Sequence, residues 1–262
     1  MKTFRKILGF ICLAISLFCA IMIVRSIVIG NKGASADPVP ISDKTDVEQW
    51  SRDDNGVQEQ EDLQKIYVSP INFEELQDRN RDIYAWLEIP GCGVSLPVLR
   101  HEGDEDFYLR RDLDGYYSLD GSLYTQSSWN NRQFTDTCTI IYGHAMISTG
   151  RMFGTLQSFF SDPDNFKNHN ELIIYMPDSE IHFKVFAAVP YNRRHILYYY
   201  DFDNPAFYES FIDMIYERGE LGVNLDPDIE FNYKDRLLIL STCLNGQSTA
   251  RFLVCGIEVN ES

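Results

Sequence analysis

Seven short apolar runs, rich in β-branched and aromatic residues, recur between positions 94 and 259 of the 262-residue chain. Turn-forming residues separate them, which favours a mostly antiparallel barrel or sandwich over a βαβ sheet. Ile83, Trp86 and Leu87 are expected to close one end of the core. The predicted strands are Val94–Leu99, Gly121–Thr125, Thr137–Tyr142, Glu171–Met176, Ile181–Val189, Arg236–Ser241 and Phe252–Val259.

Three segments carry helix signals. Asn72, with Glu75 three residues later, predicts the start of a helix over Phe73–Asn80. Met152–Phe160 and Pro205–Arg218 are predicted to be helices inserted between strands. Apolar side chains on one face of the second inserted helix predict a stripe that packs on the core. These side chains are Phe207, Phe211, Met214 and Ile215.

The first 30 residues predict a membrane anchor. Ile7–Val24 contains 18 residues without a charge, long enough to cross a bilayer with help from the residues up to Ile29. Basic residues precede this run, so the positive-inside bias places a short N-terminus in the cytoplasm and everything after Gly30 outside the cell. A cleaved signal peptide is the alternative, because the small residues at 34–36 resemble a cleavage site.

Residues 31–62 predict a flexible extracellular linker. They are rich in Pro, Ser, Gly and acidic residues, and Trp50 is their only aromatic residue. Such a segment cannot bury enough apolar surface to fold alone. The remaining residues, 63–262, are long enough to form one compact domain with a sizeable core. The expected organisation is therefore an anchor (1–30), a spacer (31–62) and one folded domain (63–262).

Acidic side chains dominate the predicted extracellular part. After Gly30 the chain has 19 Lys and Arg against 39 Asp and Glu, a formal charge of −20. This balance argues against nucleic acid as a partner, because nucleic-acid binding depends on basic side chains. A soluble, self-repelling surface beside an anionic cell envelope accounts for the charge, and a specific cationic partner is the alternative.

The six cysteines include two, Cys12 and Cys19, inside the apolar N-terminal run. The chain contains no C-x-x-C pair, so a structural zinc site has little support. No metal and no cofactor are predicted. Cys138 and Cys255 lie within apolar, β-branched runs and are predicted to be inert core residues. A structural disulfide among the cysteines outside the anchor stays open.

Three polar residues stand at the ends of predicted strands. Cys243 follows the apolar run LLILST, Arg251 opens the next apolar run, and His144 follows a strand and a glycine in TIIYGHAM. A cysteine at a strand end is partly exposed, as a nucleophile must be, whereas a packing cysteine lies within its strand. The other four histidines lack this context and are interpreted as surface residues: His101, His169, His182 and His195.

Together these segments resemble the sortase family, in which a Gly-His turn precedes a T-L-x-T-C strand and an arginine follows on the next strand. The resemblance extends to WLEIPGCGVSLPVL, FYLRRDLDGYYSLDGSLYT and MFGTLQSFF. The chain departs from the pattern at Ile239, where the family usually has threonine. The helical segment Pro205–Arg218, which precedes the cysteine strand, is most similar to class B sortases.

The resemblance implies a mainly β fold, an eight-stranded sortase-type β-barrel with an N-terminal helix and inserted helices. It also implies a membrane-anchored cysteine transpeptidase in which Cys243 is the nucleophile, His144 the general acid and base, and Arg251 the oxyanion donor. Ser241 and Thr242 are expected to line the substrate-binding groove.

The implied substrate is a surface protein with a C-terminal sorting signal of the N-P-x-T-x type. The implied acceptor is an amine of a peptidoglycan precursor or a pilin lysine, and the choice between anchoring and pilus polymerisation stays open.

Two other functions fit parts of the sequence. An exported cysteine hydrolase acting on cell-wall peptides would use a similar Cys-His pair. Many such hydrolases place the cysteine before the histidine, whereas His144 precedes Cys243 here, and they do not require the arginine on the following strand. A non-catalytic envelope-binding module would explain the anchor, linker and acidic surface, but it gives no reason for the three polar residues at strand ends.

Overall fold

A computed structural model describes residues 67–218, 224–245 and 247–259 of the chain. The predicted membrane anchor at residues 1–30 and the predicted linker at residues 31–62 lie outside these ranges. None of the helices in the described ranges is long and apolar enough to span a membrane.

The helices of the described ranges are short, and the first of them starts as predicted. The side-chain oxygen of Asn72 accepts a hydrogen bond from the backbone N–H of Glu75 at 3.2 Å, which satisfies one of the unpaired donors of the helix. The helices are α1 (Phe73–Arg79), α2 (Leu156–Phe160), α3 (Pro163–Asn168), α4 (Ile196–Tyr199) and α5 (Pro205–Arg218), with a 3₁₀ helix at Phe107–Arg110.

The strands of the described ranges are β1 (Ile83–Ile89), β2 (Val94–Leu99), β3 (Leu123–Tyr124), β4 (Cys138–Tyr142), β5 (Ala145–Met146), β6 (Arg151–Met152), β7 (Glu171–Tyr175), β8 (Glu180–Tyr191), β9 (Asn224–Leu225), β10 (Leu237–Leu244) and β11 (Gln247–Glu258). Eight of them form a closed ring in the order β1-β2-β3-β4-β10-β11-β8-β7, because β8 pairs with β11 and β7 pairs with β1. The predicted eight-stranded barrel is confirmed.

Two parallel pairs, β2–β3 and β4–β10, occur in an otherwise antiparallel ring. A parallel pair cannot be joined by a hairpin, so a long connection containing the inserted helices links β4 to β10. The carboxyl ends of β4 and β10 therefore lie at the same edge of the barrel. This edge is where the candidate functional residues follow their strands.

Alternation along β10 separates two hydrophobic clusters. Leu238 and Leu240 belong to the cluster that includes the buried residues of β1 and β7, inside the barrel, whereas Ile239 belongs to a second cluster shared with α5. The α5 side chains Phe211 and Ile215 are fully buried there. Helix α5 packs against β8 and shares this second core with Ile239, so each face of β10 has its own core.

Strand β1 differs from the sequence prediction, in which Ile83, Trp86 and Leu87 only closed one end of the core. It pairs with both β2 and β7 as a full member of the ring. Six of its seven residues are buried.

The first inserted helix is shorter than predicted. The prediction covered Met152–Phe160, but α2 begins at Leu156. Met152 instead pairs with Ala145 in the β5–β6 hairpin and has a φ of 53°. A positive φ is incompatible with a right-handed helix, so the helix starts only after this hairpin.

The second inserted helix has the predicted bounds but a different buried face. Phe207 was predicted to pack on the core and is 43% exposed. The buried side chains are Tyr208, Phe211, Ile212 and Ile215. They follow the i, i+3, i+4, i+7 spacing of one helix face, and Phe207 lies outside that face.

Candidate active site

The shared edge of β4 and β10 brings two predicted site residues together. The parallel register pairs Tyr142 with Ser241, and the Gly143 N–H donates to the Ser241 carbonyl at 3.2 Å. His144 and Cys243 each stand two positions beyond this pair. Because the two strands run in the same direction, both residues reach the same edge of the barrel.

Arg251 lies opposite Cys243 on the neighbouring antiparallel strand β11. Its Nη1 atom is 3.8 Å from the Cys243 sulfur, and it also donates to the Ala250 carbonyl at 3.3 Å. The thiol is free and half-buried. A guanidinium in this position stabilises negative charge that develops on an oxygen bound beside the sulfur.

The strands around Cys243 are longer than predicted. A loop of mixed residues was expected between Cys243 and Arg251, with Arg251 at the start of the next strand. Instead β10 ends at Leu244 and β11 begins at Gln247, and these two residues pair with each other. Arg251 is therefore the fifth residue of β11 and is held by strand pairing.

His144 is half-buried, and its ring has a defined hydrogen bond. Nε2 lies 2.8 Å from the main-chain carbonyl oxygen of Leu109. A carbonyl can only accept, so Nε2 carries a proton and Nδ1 is the other ring nitrogen available to a reacting group. The His144 carbonyl accepts from the Phe153 N–H at 2.9 Å. Within the described ranges, no hydrogen bond joins this ring to the Cys243 thiol.

The two predicted substrate-binding residues, Ser241 and Thr242, are both buried. Strand alternation places Ser241 on the same face as Cys243 and Thr242 on the face that points into the barrel. The Thr242 hydroxyl has no hydrogen-bond partner among the residues that the structure describes. The Ser241 side chain is therefore better placed than the Thr242 side chain to contact a substrate.

Two stacked tyrosines support the base of the site. The rings of Tyr124 and Tyr142 have centroids 5.5 Å apart. Burial raises the pKa of both phenols well above their ordinary value, and the positive charge of Arg251 opposes this increase only weakly. Both rings consequently stay neutral beside Arg251.

Comparison with known proteins identifies relatives of the chain. No model of a known protein family matches it. The chain is 26% identical to sortase B of Staphylococcus aureus over 190 residues, which are 72% of this chain and 74% of that protein. It is 28% identical to sortase B of Listeria monocytogenes over 171 residues, which are 64% of this chain and 65% of that protein.

Solved structures agree with the sequence comparison. A Streptococcus pyogenes class B sortase involved in pilus biogenesis superposes with a TM-score of 0.61 at 26% identity, covering 72% of this chain and 98% of that one. The chain is a homologue of class B sortases. It is a sortase-type cysteine transpeptidase.

A polar contact that sequence reasoning missed holds the segment after Cys243 in this sortase homologue. The Asn245 N–H donates to the side-chain oxygen of Gln157 in α2 at 2.9 Å. At the other end of α2, the Asn224 side chain donates to the Phe160 carbonyl at 2.7 Å. A hydrogen-bonded connection therefore runs from β9 through α2 to the turn beside Cys243.

The other cysteines of the described ranges differ from Cys243. Cys92, Cys138 and Cys255 are buried free thiols, and no disulfide joins the four cysteines that the structure describes. Burial raises the pKa of all three, although a hydrogen bond with Thr155 partly opposes this at Cys92. The prediction that Cys138 and Cys255 are core residues is confirmed.

The prediction that the remaining histidines lie on the surface agrees with His169, which is exposed, and the other three keep part of their surface exposed. His195 caps α4, and its Nε2 lies 2.7 Å from the Gln126 side-chain oxygen. The half-buried histidines are His101, His182 and His195. Single positions in a polar context do not reveal such partners. No group of three or more His, Cys, Asp or Glu side chains in the described ranges could hold a metal ion.

Proposed function

We propose that this chain is a membrane-anchored sortase that cleaves a C-terminal sorting signal and joins the cleaved protein to an amine. The observation that carries the proposal is the 3.8 Å distance between Arg251 Nη1 and Cys243 Sγ, at the edge where His144 follows the adjacent parallel strand. A nucleophile, a fixed cation and a group that moves protons are what acyl transfer requires.

In the first step, the Cys243 thiolate attacks the carbonyl carbon of the threonine in the sorting signal. The carbonyl oxygen becomes negative beside the Arg251 guanidinium, which keeps its charge and offers directed N–H donors. The carbon–nitrogen bond then breaks, and His144 gives a proton to the leaving amine. The products are a thioacyl enzyme and the released C-terminal peptide.

In the second step, the acceptor amine attacks the thioester carbon. His144 takes a proton from this amine, the carbon–sulfur bond breaks, and Cys243 leaves as a thiolate. The cleaved protein is then joined to the acceptor through a new amide bond. No cofactor or metal is required for this sequence.

The expected substrate is a surface protein with a signal of the N-P-x-T-x type, as the similarity to class B sortases implies. The Ser241 side chain lies on the same strand face as Cys243 and is the proposed contact with the substrate in its groove. Thr242, the next residue of the strand, is the second proposed substrate-binding residue. The acceptor is an amine of a peptidoglycan precursor or a pilin lysine. The Streptococcus pyogenes relative is involved in pilus biogenesis. Pilus polymerisation therefore stays a candidate reaction, together with anchoring of proteins to the cell wall.

The proposed location is the cell membrane, with a single span, a cytoplasmic N-terminus and an extracellular catalytic domain. It is supported by the uncharged run and the basic residues before it. Residues 31–62 would hold the domain, residues 63–262, away from the bilayer.

A peptide assay tests the function against its nearest rival. The full chain in detergent is incubated with an N-P-x-T-x peptide, with and without a short glycine peptide as the amine. Amine-dependent formation of a ligated product, lost in Cys243→Ser and His144→Gln, is the expected result. Cleavage at a rate and with a product unaffected by the amine would indicate the cysteine hydrolase instead.

A further inference from the structure

We propose that the main-chain carbonyl of Leu109 is a positioning element that holds His144 as its Nε2–H tautomer. The other ring nitrogen, Nδ1, then stays available to the reacting atoms. Gly121 lies against this carbonyl and keeps it in place. The proposal rests on the function proposed above, in which His144 moves the proton. Leu109 and Gly121 are assigned a positioning role and no contact with the substrate.

The first observation is the ring contact. The His144 Nε2 atom and the Leu109 carbonyl oxygen are 2.8 Å apart, a normal hydrogen-bond distance. Since the carbonyl cannot donate, the neutral ring must carry its proton on Nε2. When the ring is an imidazolium, both nitrogens are donors and the same bond persists. The contact therefore fits both protonation states that the proposed reaction uses.

The second observation is that neighbouring backbone fixes the direction of this carbonyl. The Ser122 N–H donates to the Tyr108 carbonyl at 3.0 Å, and the Ser118 N–H donates to the Arg110 carbonyl at 3.0 Å. The Ser122 hydroxyl donates to the Arg111 carbonyl at 2.9 Å. Residues 118–122 thus hold the peptide groups on both sides of Leu109.

The third observation is the close approach of Gly121. A Cβ atom at this position would lie 2.5 Å from the Leu109 carbonyl oxygen and 2.8 Å from the Tyr108 carbonyl oxygen. Both are main-chain atoms, so no side-chain rotation can relieve the clash. The φ of Gly121 is +62°, which also favours glycine. A larger residue here is expected to displace the acceptor of the His144 ring.

Gly115 provides a matched control in the same segment. Its φ is +78°, so a side chain there has a comparable backbone cost. A Cβ atom at Gly115 would meet nothing within 4 Å. Gly115→Ala therefore reproduces the backbone strain of Gly121→Ala without the clash at the Leu109 carbonyl.

The tautomer decides whether His144 can act in the proposed way. With the proton on Nε2, Nδ1 is a free acceptor that can take a proton from the attacking amine. If the Leu109 carbonyl is displaced, the ring can rotate or change tautomer. A misplacement of about 1 Å in a catalytic group costs roughly 10²-fold in rate.

The first test is spectroscopic and needs no activity. The full chain, labelled with ¹⁵N-histidine and held in detergent, is studied by NMR at a pH where the ring is neutral. The His144 signals are assigned by their loss in His144→Gln. The expected result is an Nε2-protonated ring, and an Nδ1-protonated ring would overturn the proposal. If the parent transfers no peptide, the proposed function fails, but this spectrum still tests the position of the ring.

The second test compares Gly121→Ala with Gly115→Ala, both checked for folding by circular dichroism. We expect Gly121→Ala to lower kcat about 10²-fold with a KM change below about threefold, and to change the His144 tautomer signals. Gly115→Ala should stay within about twofold of the parent in kcat. A folded Gly121→Ala with the parental kcat and spectrum would overturn the proposal. If Gly121→Ala does not fold, the spectrum of the parent decides.

Discussion

The Arg251 guanidinium lies 3.8 Å from the Cys243 sulfur because the two residues face each other across the antiparallel pair of β10 and β11. Directly opposed residues in such a pair have Cβ atoms about 4.5–5.5 Å apart. On its other side Arg251 is paired with Tyr191 of β8. The cation next to the candidate nucleophile is therefore part of the barrel wall.

Arg251→Lys should lower kcat by about 10²- to 10³-fold, roughly 2.7–4 kcal/mol, and change KM far less. Lysine keeps the positive charge but loses the planar set of donors that meets the developing oxyanion. Steady-state kinetics on the peptide substrate measure this effect. Arg193→Lys, at an exposed position, is the control. A kcat for Arg251→Lys within about threefold of the parent would refute the oxyanion role.

A thiol-directed alkylating reagent should modify Cys243 before Cys92, Cys138 and Cys255. Cys243 is half-buried beside a guanidinium, whereas burial both shields the other three thiols and raises their pKa. Mass spectrometry of partly inactivated protein locates the modification. Loss of activity that follows modification of Cys255 instead would move the active site elsewhere.

Gln157→Ala should lower kcat about two- to tenfold, because one hydrogen bond contributes about 0.5–1.5 kcal/mol and this one holds Asn245 near the nucleophile. Gln157→Glu keeps an acceptor oxygen and should recover most of the activity. Kinetics on both variants, with amide hydrogen exchange at Asn245, provide the measurement. Equal activity and equal exchange in all three proteins would show that the contact has no effect on the site.

His182 should stabilise the domain only at low pH. Burial lowers its pKa, but hydrogen bonds with Glu171 and Glu180 outweigh burial and raise it above 6.5. The stabilisation is therefore complete below pH 6.5 and disappears as the pH rises through the raised pKa of the folded state.

Thermal unfolding of His182→Gln tests this expectation. Its Tm should fall below that of the parent at about pH 5 and match it at about pH 9, while the exposed His169→Gln should change neither. An equal loss at both pH values would assign the effect to packing.

Protease added to intact cells stripped of their wall should remove the catalytic domain. The basic residues before the uncharged N-terminal run predict this orientation. Immunoblots with antibodies against residues 63–262 follow the cleavage, and lysed cells provide the control. A domain that is protected until lysis would reverse the proposed topology.

Elements with a local signature were predictable from the sequence. The bounds of β2 and α5 agree with their predictions, because apolar patterning and flanking residues mark them. Strand β1 was not predicted as a strand, although it is as deeply buried as β10. The parallel pairing of β4 with β10 joins residues far apart in the chain, and no local pattern marks it.

The candidate site was predictable to a similar extent. Cys243 and His144 stand near strand ends, and this position marked both of them as candidate catalytic residues in the sequence. The partner of the His144 ring is a main-chain carbonyl, which every residue has, so no side-chain pattern could mark Leu109. The contact from Gln157 depends on how α2 packs beside the β10–β11 turn, which is a tertiary feature.

The closing strand of the barrel, β11, is also the strand that carries Arg251. It pairs with β10 on one side and with β8 on the other, so the ring is closed only when β11 is paired with both. The same pairing with β10 holds the guanidinium beside the Cys243 sulfur. A change that weakens the pairing of β11 is therefore expected to open the barrel and to separate the cation from the thiol at the same time.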